Sequence, residues 1–86
     1  MAKATTLRQP SEQLTQILAD NIREFRQKHE LSQEAFADLC GLHRTYVGSV
    51  ERGERNVTLS TLEVFSAVME MTVPELLVKR KPKHGH

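Results

Sequence analysis

The sequence predicts an all-α fold of five short helices, and three observations carry that reading. Apolar residues recur at helical spacing, as in Leu14, Ile17, Leu18, Ile22 and Phe25. Residues of the type that caps helix N-termini, Ser11, Ser32, Thr58 and Thr72, stand just ahead of such stretches. No β-rich run competes with them, aromatic residues being 5% of the chain with no Trp. Eighty-six residues, 38% of them apolar, suffice for one small domain with a single core of Leu, Ile, Val, Phe and Met.

Residues 1–10 carry Lys3 and Arg8, end on Pro10, and read as a flexible arm ahead of a domain at 11–78. Ser11 caps a first helix that runs to about Lys28 and covers the next two from behind. Ser32 caps the second, where Gln33 and Glu34 suit the positive end of the helix and Ala35, Phe36 and Leu39 form an inward stripe. Gly41 ends it, because a residue without a Cβ takes the left-handed conformation at least cost. A third helix opens at His43 or Arg44 and runs to about Arg52, where Gly53 closes it. Thr58 caps a fourth over 59–69, and Thr72 caps a last short one from Val73 to about Val78. Residues 79–86, KRKPKHGH, form a basic tail.

The chain is organised around the glycine-hinged pair at 32–53. At about 100° per residue, the third helix sets Val47 and Val50 on one side and Thr45, Gly48, Ser49 and Arg52 on the other, flanked by Arg44 and Tyr46. Short hydrogen-bonding side chains and arginines on a low surface suit the major groove of B-DNA, about 12 Å wide. An ordinary solvated helix face has the same pattern, so this face alone leaves both readings open. A net charge of +1 is low for a nucleic-acid binder, but Arg44, Arg52 and Arg55 gather on the proposed surface.

Ser32-Gln33-Glu34, Ala37, Gly41-Leu42, the run His43-Arg44-Thr45-Tyr46-Val47, and Glu51-Arg52-Gly53 followed by Arg55-Asn56 resemble the phage-repressor and Cro type (XRE-family) of helix-turn-helix regulator. The segment HRTYVGSVERGERNVTL is similar to a narrower group, the controller proteins of restriction-modification operons. The likeness spans about residues 18–78. It implies a compact five-helix lambda-repressor-like DNA-binding domain with the helix-turn-helix at helices 2 and 3. It further implies a cytoplasmic, nucleoid-associated homodimer that binds double-stranded DNA at an inverted repeat and regulates its own gene, with RNA polymerase a possible partner. Arg44 would read a guanine edge, with Thr45 and Ser49 making shorter base contacts. Gln33, Tyr46, Arg52, Arg55 and Asn56 would hold phosphates and set register. Arg26 matches the position of an arginine that pairs with the glutamate closing the recognition helix, here Glu51. The longer arm, the basic tail and Gly53 depart from the controller pattern.

The apolar surplus of Phe65, Met69, Met71, Leu76 and Leu77 suggests a self-association patch; core packing in a small domain could absorb much of it, and the family resemblance is what favours the dimer. A protein-interaction module of the same fold, an antitoxin or partner-binding regulator, is the alternative reading. Cys40 and His43 have the spacing of half a zinc site, but His29, His84 and His86 complete no second spaced pair, so no metal site and no cofactor are expected. His43 and Ser49 lie too far apart on one helix to work as base and nucleophile, and no phosphate-binding glycine loop occurs, so the chain does not read as an enzyme. No stretch approaches the roughly 20 apolar residues of a membrane span.

Overall fold

The structure, a computed structural model, describes residues 9–80; most of the expected arm and of the basic tail, with Lys3, Arg8, His84 and His86, lies outside the described residues. Five helices run along the chain: α1 (Glu12–Lys28), α2 (Gln33–Cys40), α3 (Arg44–Glu51), α4 (Leu59–Met69) and α5 (Val73–Leu76). Four of them start on a hydroxyl that accepts from the N–H three residues on. Ser11 accepts from Leu14 at 3.1 Å, Ser32 from Ala35 at 3.0 Å, Thr58 from Thr61 at 3.2 Å and Thr72 from Glu75 at 3.2 Å. At α5 the Glu75 carboxylate accepts the Thr72 N–H in return at 2.8 Å. That reciprocal cap fixes a four-residue helix that propensity alone would not hold.

The first four helices end alike, the chain turning through a left-handed residue so that the next N–H reaches back five residues: Leu31 to Arg26, Leu42 to Ala37, Glu54 to Ser49 and Met71 to Ser66. At α2 and α3 that residue is the expected glycine, Gly41 at φ 68° and Gly53 at φ 73°. At α1 and α4 it is Glu30 at φ 55° and Glu70 at φ 56°, each costing about 1 kcal/mol. Glutamate carries no local signal of this kind, which is why the ends of α1 and α4 cannot be argued from residue type as those of α2 and α3 can.

α3 lies against both α1 and α2, while α4 packs on α2 and α5. The core joins Leu18 and Ile22 of α1, Phe36, Ala37 and Cys40 of α2, Val47 and Val50 of α3, Leu62, Phe65 and Met69 of α4, and Leu76 of α5. Phe36 stands at its centre, with ring centroids 5.8 Å from Phe25 and 5.9 Å from Phe65. Buried Asn21 on α1 donates to the carbonyls of Leu76 at 2.8 Å and Val78 at 3.2 Å, tying the first helix to the end of the last.

Two sequence expectations need correction here. Leu39 is not part of the inward stripe of α2; it is 58% exposed, and the buried set is Phe36, Ala37 and Cys40. Phe65, Met69 and Leu76 are not available to a second subunit, because they lie in the monomer's own core with 4% exposure or less. The apolar surplus of α4 is absorbed by packing on two sides, against α2 and α5. Met71 and Leu77 are only half-buried.

Candidate nucleic-acid interface

α3 is held from behind at its C-terminal end. The side chain of Glu51, 3% exposed, accepts from Arg26 Nε at 2.7 Å through Oε2 and from Arg26 Nη2 at 2.9 Å through Oε1. Gln33 Nε2 adds a third bond to Oε1 at 3.1 Å, and Arg26 Nη1 is satisfied by the Leu31 carbonyl at 3.0 Å. Arg23, one turn earlier on α1, donates to the Glu51 carbonyl. Two arginines thus meet the negative end of the α3 dipole and the carboxylate beside it. The bond to Glu51 raises the Arg26 pKa above its ordinary value, outweighing burial, which lowers it. A fork-on-fork pair of this kind sets orientation more than it adds net stability, since both ions lose water.

The first turn of α3 is open. Arg44 and Thr45 are exposed, and among the described residues Arg44 enters no ion pair. Arg55 and Asn56 are exposed on the loop after α3, and Tyr46 is half-buried. The Arg55 guanidinium lies 5.2 Å from the Tyr46 ring centroid. Arg52, 60% exposed, is paired by its Nε with Glu54 Oε2 at 3.0 Å, and that bond raises its pKa. Gln33 is half-buried, its amide nitrogen turned in toward Glu51. A Cβ at position 48 would stand 3.3 Å from both Arg52 Nη1 and Gln33 Oε1, so the glycine there lets these two side chains lie low across α3.

Ser49 does not stand on the open face with Arg44 and Thr45, as the helical wheel places it. It is 5% exposed, its hydroxyl donates to the Tyr46 carbonyl at 2.7 Å, and its oxygen accepts from Arg55 Nε at 2.9 Å. With its proton given to a carbonyl, one lone pair taken by Arg55 and the residue covered, it is poorly placed to meet a base edge. Periodicity missed this because α3 is wedged between two helices, so its buried arc is wider than its two valines mark out.

Cys40 is buried in the core, and burial pushes its thiol up to about 11, away from the thiolate a metal would need. His43 stands exposed at the start of α3, and the described residues hold no group of three or more metal-binding side chains. No helix among the described residues is long and apolar enough to cross a membrane.

Two short helices joined at a left-handed glycine, the second clamped from behind and open along its first turn, make a helix-turn-helix. The chain belongs to the helix-turn-helix (HTH_3) family of DNA-binding transcription regulators, whose family model matches residues 22–76. Within that family it is similar to restriction-modification controllers. Control protein C.SmaI of Serratia marcescens is 51% identical over 71 residues, covering 83% of this chain and 84% of the relative. The hypothetical transcription factor NHTF from Neisseria superposes with a TM-score of 0.75 at 40% identity, over 86% of this chain and 84% of that one. The restriction-modification controller C.Esp1396I, solved as a tetramer with its natural 35 base-pair operator, superposes with a TM-score of 0.65 at 30% identity over 74% and 88% of the two chains.

Proposed function

We propose that this regulator acts as a homodimer on an inverted repeat, with Arg44 and Thr45 of each α3 reading bases in the major groove. The observation that carries the reading is the open first turn of α3, with an arginine free of any carboxylate partner among the described residues. Arg44 has the reach and the two parallel donors to bind a guanine edge, and Thr45 can meet a base edge or a thymine methyl. Tyr46, Gln33, Arg52, Arg55 and Asn56 would hold phosphates along the flanks and set register. Met71 and Leu77, half-buried in the monomer, are the residues of the predicted dimer patch that remain for a partner subunit. Autoregulation and a contact with RNA polymerase, both implied by the resemblance to controller proteins, belong to the same proposal. This reading places the protein in the cytoplasm, on the nucleoid, with no catalytic role.

A salt titration of binding to the DNA upstream of its own gene tests the proposal. Affinity should fall on a log–log plot with a slope of about −0.9 per phosphate neutralised. Saturation should come at two chains per repeat. Salt-insensitive binding would instead mark the protein-interaction module, the alternative its low net charge allows.

A further inference from the structure

The buried hydroxyl of Ser49 is left without a role once it is removed from the base-reading face, and its two bonds say what that role is. Its proton goes to the Tyr46 carbonyl at 2.7 Å, one turn back on the same helix. That bond fixes the hydroxyl rotor, so a lone pair faces the loop, where Arg55 Nε donates into it at 2.9 Å. The central carbon of the same guanidinium lies over the Tyr46 ring, 5.2 Å from its centroid. Arg55 is therefore held at its Nε by Ser49 and drawn to the Tyr46 ring, and the bond to Ser49 leaves its terminal Nη1 and Nη2 edge free. Unlike Arg23, Arg26, Arg52 and Arg80, it has no carboxylate partner among the described residues.

We propose that Ser49 is a positioning residue: with Tyr46 it pre-orders Arg55, so that the terminal nitrogens of the guanidinium are presented to a DNA phosphate before DNA arrives. Resting on the DNA-binding reading above, the proposal adds a division of labour. Arg44 reads sequence from a free side chain, whereas Arg55 grips backbone from a fixed one. Ordering a free arginine on binding costs affinity, and a side chain already held in place avoids that cost. Ser49 shares the last turn of α3 with Glu51, so the helix end that Arg26 clamps passes its order on to the loop through Arg55. The grip is blind to sequence, because a phosphate carries no base identity.

The test uses the full chain and several duplexes of a few helical turns and unrelated sequence. Arg55→Ala is expected to lower affinity and take about one unit off the magnitude of the log–log salt slope. Ser49→Ala is expected to lower affinity about three- to tenfold, equally on every sequence, and to add nothing in the Arg55→Ala background. An equal further loss in that background would show Ser49 acting through α3 itself and overturn the proposal. So would no loss at all, or a loss that depends on the base sequence. A readout without DNA keeps the proposal testable should the variant fold poorly: the Arg55 Nε–H of the free wild-type protein, followed by NMR, should be as ordered as the backbone. An Nε–H as mobile as that of Arg44 would overturn it. If the wild-type chain bound no DNA, the DNA-binding reading would fall while this NMR result stood by itself.

Discussion

The two halves of α3 differ in almost every physical respect although the whole helix is eight residues long. In the first turn Arg44 and Thr45 are exposed, and Arg44 is free of ion pairs among the described residues. In the last turn Gly48, Ser49, Val50 and Glu51 are all buried, and Ser49 and Glu51 have their polar atoms engaged. A recognition element needs both. The enclosed half supplies orientation, and the open half supplies donors that have not already been used. The difference teaches that, on the proposed reading, base contacts belong to one turn of helix, with the rest of α3 acting as a mount.

The sharpest way to break that contrast is to remove the mount. Arg26→Ala leaves Glu51 buried with only Gln33 to pair it, and is expected to cost about 3–5 kcal/mol in urea denaturation. That is a large share of what so small a domain has. A loss under about 1 kcal/mol would mean that α3 is held by its valines alone. The complementary change on the open half is Arg44→Ala. Stability should be unchanged within about 0.5 kcal/mol, while binding to the cognate site should weaken by about 1–3 kcal/mol with relaxed preference at one base pair. Competition between cognate and mutated duplexes measures this, and equal loss on every sequence would remove Arg44 from base reading.

Much of the mount is legible in the residue types themselves. Ser32 and Gly41 bracket α2, and Thr58 and Thr72 start α4 and α5, because cap hydroxyls and left-handed glycines are local signals. What the sequence does not carry is how many neighbours each helix has. Ser49 looks outward when only Val47 and Val50 mark the inside, and becomes inward when α1 and α2 both press on α3. Phe65, Met69 and Leu76 look like surplus until α4 is seen to pack on two sides. Asn21 sits within an apolar stripe with no sequence sign of its partners, the carbonyls of Leu76 and Val78, more than fifty residues on. In each case the missing quantity is a long-range contact, which periodicity does not encode.

Leu39 gives the smallest expected effect and the finest test of where the open side begins. A stripe drawn through Ala35, Phe36 and Leu39 buries this leucine; a stripe centred between Phe36, Ala37 and Cys40 sets it about 100° away, in solvent. The two placements differ by a rotation of α2 about its own axis. Because α3 packs directly on α2, and Gln33 of α2 bonds Glu51 of α3, such a rotation would shift the face that α3 offers. Leu39→Ser is therefore expected to change stability by less than about 0.5 kcal/mol, as a change at a solvated site does. A loss of the about 2 kcal/mol or more that follows truncation of a buried leucine would mean that α2 is turned inward at this point. The open turn at Arg44 and Thr45 would then have to be relocated with it.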